Sequence, residues 1–116
     1  MQILQDRAAG TAIIAPAGRI DSEAAVALGT AFAQLTDARE SRVVVDLAGV
    51  EYISSAGLGV LFALAKRMRA TGGALALCAL GDQVRRVFDL AGFMPHFTIT
   101  ATRDEAIARV AAEPAH

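Results

Sequence analysis

Two adjacent serines, Ser54 and Ser55, are the residues of this sequence best placed to take part in chemistry. They follow an apolar, β-branched run that begins at Val43, and they precede a stretch with the apolar spacing of a helix. A serine at a helix start can cap the first turn, because its oxygen accepts from a free backbone amide. A serine is also a phosphate acceptor, and a helix N-terminus stabilises the added charge. The pair therefore predicts a structural cap or a site of regulatory modification.

Catalytic and nucleotide-binding motifs fit this sequence poorly. The residues around Ser55 do not form the G-x-S-x-G elbow, and neither His96 nor His116 is placed by sequence to act as its base. Gly57 and Gly59 are too few for G-x-G-x-x-G, and the G-K-[ST] of a P-loop is absent. These glycines are expected instead to allow close approach of a backbone or a phosphate near the helix start. The sequence thus indicates a protein that is not an enzyme.

Carboxylates and possible metal ligands also have ordinary structural interpretations. Asp21, Asp46 and Glu51 are expected to cap local structure or to lie on the surface, which does not suggest acid–base catalysis. Cys78 is the one cysteine, and its apolar neighbours predict a buried thiol. The sequence has only two histidines in addition to this cysteine, which are too few and too far apart to predict a zinc-binding set. No cofactor is expected.

Composition and charge are typical of one cytoplasmic domain. We expect a single domain over residues 1–116, with a core at about 3–112 and a frayed tail at 113–116. No apolar run approaches the roughly 18 residues needed to span a bilayer, and the N-terminus lacks a secretory pattern. The net charge of −1 argues against nucleic-acid binding. Residues 52–88 contain five basic side chains and one acidic, which indicates solvated helix faces or a mildly basic docking surface.

Hydrophobic periodicity predicts strands that alternate with helices. The predicted strands cover residues 2–8, 11–18, 74–80 and 97–100, with a buried strand starting at residue 43, and the helices start near residues 21, 54, 81 and 102. The first two strands form a hairpin, and the later βα units imply parallel pairing with right-handed crossovers. The predicted fold class is α/β, with a mixed sheet of four or five strands and about four helices. The carboxyl ends of the strands should bring Asp21 and Ser22 to the same edge as Ser54 and Ser55.

Three stretches of the chain resemble the STAS-domain family, specifically the bacterial anti-sigma factor antagonists. That family has an apolar strand ending in Asp-Leu, a loop, and then Asp-Ser-Ser/Thr-Gly-Leu-Gly at the start of an amphipathic helix. The matching residues here are Asp46-Leu47 and Ser54-Ser55-Ala56-Gly57-Leu58-Gly59. The segment 18–21, Gly-Arg-Ile-Asp, resembles the family's Gly-x-Leu/Ile-Asp, and residues 84–92 resemble its third helix. The likeness extends over roughly residues 3–112.

This resemblance implies a switch that depends on phosphorylation. In the family, the unphosphorylated antagonist binds an anti-sigma factor, commonly a serine kinase of the histidine-kinase-like ATPase type, and so frees a sigma factor. The kinase phosphorylates the first serine of the motif, which breaks the complex, and a metal-dependent serine phosphatase resets it. By alignment, the phosphoacceptor falls on Ser55, the family aspartate on Ser54 and the second Ser/Thr on Ala56. Ser54 is the rival acceptor.

The resemblance also implies a partner-binding surface around the serines. The residues assigned to it are Asp21, Ser22, Ser54, Ser55, Ala56, Gly57, Leu58 and Lys66. Direct membrane insertion is not expected, and an oligomer is compatible with the sequence. Two other functions stay open: a STAS subunit of a membrane lipid or anion transport complex, in which Ser55 is only a cap and an interface residue, and a small nucleotide-binding or catalytic module.

Overall fold

The computed structural model describes residues 1–112, and the tail expected at 113–116 lies outside the described residues. The strands are β1 (Gln2–Ala8), β2 (Thr11–Ile20), β3 (Arg42–Asp46), β4 (Val50–Ile53), β5 (Ala74–Cys78) and β6 (Ile99–Thr100). The helices are α1 (Ser22–Asp37), α2 (Ser55–Ala70), α3 (Asp82–Leu90) and α4 (Arg103–Ala112), with a 3-10 turn at Met94–His96. The α/β class, the opening hairpin and the alternating βα units are confirmed.

The six strands form one mixed sheet in the order β1-β2-β3-β5-β6, with β4 beside β2. β1 is antiparallel to β2, and the other pairs are parallel. β2 pairs with β3 through Ala12–Ile14 and then with β4 through Gly18–Ile20. Pro16 lies between these two pairings, so its missing N–H interrupts neither parallel ladder.

β4 is an element that sequence patterning does not predict, since its residues read as part of a loop. It has four residues, and its two buried side chains, Val50 and Ile53, flank the exposed pair Glu51 and Tyr52. A strand this short without alternation gives no period-2 signal. β2 extends beyond the end of its pairing with β3, so its last residues have an unpaired edge. β4 forms by pairing with that edge, where Ile53 lies opposite Ile20.

The two faces of the sheet are covered unequally. α1, α2 and α3 lie with the main core on one face, where Val43 and Val45 of β3 point. Of the four helices described, only α4 packs on the other face, where Val44 contributes to a smaller cluster with Ala106 and Val110 of that helix. The start of α4 is capped by Thr102, whose hydroxyl accepts from the amide of Glu105 at 3.2 Å. None of the helices among residues 1–112 combines the length and apolar character needed to cross a membrane.

Candidate functional site

α1 and α2 begin side by side at one edge of the sheet. β2 ends at Ile20 and β4 ends at Ile53, and the two residues are register partners in the parallel pairing. The amide of Ser54 donates to the carbonyl of Ile20 at 2.8 Å, which ties the start of α2 to the end of β2. The predicted meeting of Asp21 and Ser22 with the two serines is therefore present.

The two serines at the start of α2 have different environments. Ser54 is half-buried in extended conformation, and its Oγ accepts a hydrogen bond from the amide of Gly57 at 3.1 Å. It is therefore the N-cap. Ser55 is the first residue of the helix and is exposed, and its hydroxyl makes no hydrogen bond to residues 1–112. The amides of Ser55 and Ala56 are in the first turn, where no preceding helical carbonyl reaches them. This end of the helix is thus open to an anion.

The start of α1 repeats this arrangement with charged residues. Asp21 is the N-cap, and its Oδ1 accepts from the amide of Ala24 at 2.8 Å. Ser22 is the first helical residue and is exposed, and Glu23 follows it in the first turn. The expected capping role of Asp21 is confirmed. Both carboxylates lie at the positive end of the helix dipole, where they are stabilising.

Gly57 is a point of close approach beneath the serines. A Cβ on Gly57 would lie 2.7 Å from Cγ1 of Ile53 and 2.8 Å from Cγ2 of Ile20. The groups that approach Gly57 are thus two isoleucine side chains of the core under the helix start, and not the backbone or phosphate expected from the sequence. A Cβ on Gly59 would meet nothing within 4 Å. Leu58 is 4% exposed and belongs to the core, so it supports the surface from below.

Lys66 lies far from Ser54 and Ser55 in the structure. It is exposed on α2, eleven residues beyond Ser55, which corresponds to roughly 16 Å along a helix axis. Its ammonium lies 6.0 Å from the ring centroid of Phe62. Ala56 is exposed directly beside Ser55. The surface assigned from the sequence thus has a compact part at the two helix starts and one distant lysine.

Asp46 has a role that sequence reasoning missed. It is 9% exposed, and its Oδ2 accepts from Nε of Arg103 at 2.8 Å, while its Oδ1 accepts from the amide of Ala48 at 3.0 Å. The second contact fits the expected local cap, but the surface interpretation is wrong because Arg103 of α4 covers the carboxylate. Asp46 also lies opposite Cys78 in the β3–β5 register.

Cys78 is buried, as its apolar neighbours predict. Burial, reinforced by the negative charge of Asp46, raises the pKa of its thiol to about 12. The thiolate is therefore absent at neutral pH. Within residues 1–112, no group of three or more His, Cys, Asp or Glu side chains is arranged to hold a metal ion.

Known proteins resemble this chain over nearly its whole length. BtrV of Bordetella bronchiseptica, which carries a provisional assignment as an anti-sigma factor antagonist, is 39% identical over 108 residues, covering 93% of both chains. The anti-sigma-F factor antagonist RsfB of Mycobacterium tuberculosis is 29% identical over 101 residues, covering 87% of this chain and 82% of RsfB. The crystal structure of an anti-sigma factor antagonist from Mycobacterium paratuberculosis superposes with a TM-score of 0.87 at 28% identity, covering 95% of this chain and 93% of that one. The STAS domain family model matches residues 3–106, and this chain belongs to the STAS domain family.

Proposed function

We propose that this chain is an anti-sigma factor antagonist whose binding to its partner is switched off by phosphorylation of Ser55. The similarity to BtrV and RsfB supports the class of function. The observation that carries the choice of residue is the contrast between the two serines. The oxygen of Ser54 is used as a cap, whereas the hydroxyl of Ser55 is exposed and free of hydrogen bonds to residues 1–112.

The start of α2 is suited to hold a phosphate without unfolding. A phosphoserine carries about −1.5 to −2 charges, and a helix N-terminus stabilises such a charge through its free amides and dipole. The first turn of α2 contains no acidic residue, so no side chain there repels the added charge. We therefore expect the phosphorylated chain to keep its fold.

Loss of the partner then follows from the interface itself. A protein packed over Ser55 would have to accommodate a strongly hydrated dianion, which is costly to desolvate unless a cation faces it. Placing such a charge in an interface built for a neutral hydroxyl costs about 2–5 kcal/mol of binding free energy. This is enough to dissociate a complex of moderate affinity without any change of shape in this chain.

The partner proposed for this surface is an anti-sigma factor that is itself a serine kinase of the histidine-kinase-like ATPase type. A metal-dependent serine phosphatase would restore the binding form, and this chain would act only as their substrate. The part of the surface that the partner would contact first consists of the exposed residues at the two helix starts: Asp21, Ser22, Ser55 and Ala56. Ser54 and Gly57 fix the position of Ser55, and Lys66 would be reached only by a larger partner.

The test is a capture experiment from host lysate with wild type, Ser55→Ala and Ser55→Glu. The charge control is Ser41→Glu, because Ser41 is exposed but precedes β3 at its opposite, amino-terminal end. We expect wild type, Ser55→Ala and Ser41→Glu to retain an ATPase-type kinase that Ser55→Glu loses. The kinase, with ATP, should then place phosphate on Ser55 of the wild type.

Two results would overturn the proposal. Phosphate found entirely on Ser54 would reject Ser55 as the acceptor. Capture of a membrane-transport subunit equally by all four proteins would reject the switch, and Ser55 would then be only an interface residue beside the cap.

A further inference from the structure

A shallow pocket of about 240 Å³ lies between β4 and α3, next to the start of α2. It is lined by Tyr52, Ile53, Gln83, Arg86 and Val87. Its exposed apolar surface consists of the ring of Tyr52, which is 37% exposed, and the half-buried Val87, whereas Ile53 is only 2% exposed. Ile53 is two residues before Ser55, so the pocket adjoins the proposed phosphorylation site.

Two arginines beside this pocket carry charge that no carboxylate neutralises. The guanidinium of Arg19 lies 4.4 Å from the ring centroid of Tyr52, and Arg86 is exposed on α3. The ion pairs among residues 1–112 join Arg7 to Glu40, and Arg103 to Asp6 and Asp46. Asp21, which is two residues from Arg19, therefore forms no ion pair with it, and the acidic residues nearest to Arg86, Asp82 and Asp89, form none with Arg86. Both guanidinium groups remain available to an incoming carboxylate.

The charged residue that lines the pocket is Arg86, whereas carboxylates lie at the start of α1, the other helix next to Ser55. α1, which begins with the exposed carboxylates of Asp21 and Glu23, packs against α2. α3, with Arg86, packs against β4 on the side of the pocket. Opposite charges on the two sides of one interface fix the orientation of a partner, because the reversed orientation places like charges together.

We propose that the pocket receives an apolar side chain of the partner that is flanked by a carboxylate. This inference rests on the proposed function and adds the chemistry of the contact. The apolar side chain would pack on Tyr52 and Val87, and the carboxylate would pair with Arg86 and Arg19. A desolvated anchor of this kind, with charge at its rim, is typical of the centre of a protein interface.

The proposed contact also explains how a phosphate on Ser55 would release the partner. A phosphate on Ser55 would lie next to the partner's carboxylate, since only Ser54 separates Ser55 from the pocket residue Ile53. It would repel that carboxylate and compete for the two arginines. The switch would then act by direct displacement of one acidic segment.

The test uses the isotope-labelled full chain and two synthetic peptides, observed by NMR chemical shifts. The acidic probe is acetyl-Glu-Leu-Asp-Leu-Glu amide, and the basic probe is acetyl-Lys-Leu-Lys-Leu-Lys amide. We expect the acidic probe to shift the methyl signals of Ile53 and Val87 in a saturable way. Arg86→Ala should weaken this binding about tenfold, as expected when a charged hydrogen bond is lost.

The matched control is Arg85→Ala, because Arg85 is the exposed neighbour of Arg86 on α3 and does not line the pocket. It should change the affinity by less than about twofold. Equal weakening by both variants, equal binding of the basic probe, or shifts confined to other surfaces would overturn the inference.

The outcomes also separate this inference from the proposed function. If the acidic peptide leaves Ile53 and Val87 unshifted while Ser55→Glu still releases the kinase, the pocket assignment fails and the switch stands. If the peptide binds as expected but no kinase is captured, the pocket stands as an acidic-peptide site and the switch fails.

Discussion

The starts of α1 and α2 have the same backbone design but different charge. Each has a cap residue in extended conformation, an exposed serine in first position and a third residue whose amide donates to the cap. Read from cap to third residue, α1 has Asp21-Ser22-Glu23-Ala24 and α2 has Ser54-Ser55-Ala56-Gly57. The first carries two carboxylates within these four residues, and the second carries none.

This difference separates two serines that are otherwise alike. At Ser22 an added phosphate would meet Asp21 and Glu23, which already use the positive end of the helix dipole. At Ser55 the same phosphate would find that end of the helix unoccupied by charge. The charge of the neighbouring residues, rather than exposure of the hydroxyl, makes one helix start suitable for a phosphate.

The largest expected contrast is in partner binding. Ser55→Glu should weaken binding of the purified partner at least about 30-fold, because it places a negative charge at a helix start that has none. Ser22→Glu adds a negative charge beside Asp21 and Glu23, so it should change the affinity less than about fivefold. Isothermal titration calorimetry measures both. Equal losses for the two variants would show that the helix starts do not differ in this way.

The next contrast concerns packing under the two helix starts. Gly57→Ala should destabilise the fold by about 1–3 kcal/mol, because the new methyl overlaps Ile53 and Ile20. α1 has Ala24 at the equivalent position. The control Gly59→Ala lies in open space on the same helix and should stabilise the fold by about 0.5–1 kcal/mol. Urea unfolding gives both values, and a loss at Gly59 equal to that at Gly57 would contradict the packing argument.

Removal of the caps should give a smaller effect. Ser54→Ala is expected to lower the free energy of unfolding by about 1 kcal/mol, since the amide of Gly57 loses its acceptor. Asp21→Ala should lower it by about 1–2 kcal/mol, because a charged cap is lost from the helix dipole as well. Thermal unfolding of both variants tests the order, which would be contradicted if Ser54→Ala proved the more destabilising.

The smallest expected effect comes from giving α2 the charge of α1. Ala56→Glu should stabilise the chain by about 0.3–1 kcal/mol through the helix dipole, and Glu23→Ala should destabilise it by a similar amount. Salt should reduce both effects because the residues are exposed. Melting temperatures at low and high ionic strength measure them. If the changes in stability did not depend on salt, they would arise from helix propensity and not from the helix dipole.

Local patterns in the sequence predict most of the fold and part of the site. The hairpin, the helix starts and the cap at Thr102 follow from residues near one another along the chain. Both Ser54 and Ser55 fit a cap by type, and only the backbone around Ile20 and Ile53 decides which of them has that role.

Features that depend on distant residues could not be predicted. β4 exists because β2 extends past β3, and nothing within Val50–Ile53 indicates that partner. The pairing of Asp46 with Arg103 joins residues 57 positions apart, and a single sequence does not reveal such a contact. The pocket between β4 and α3 could not be predicted either, because it needs the unexpected strand β4 and a helix packed against it.

The burial of Cys78 limits the kinds of signal that this molecule can receive. Oxidants and electrophiles react with exposed thiolates, whereas the thiol of Cys78 has a pKa of about 12 and is buried at the end of β5, in a cluster with residues of α4. Oxidation of Cys78 is therefore not expected to alter the surface at Ser55. If the proposed phosphorylation switch operates at Ser55, reaction at this buried thiol would not be a second input to it.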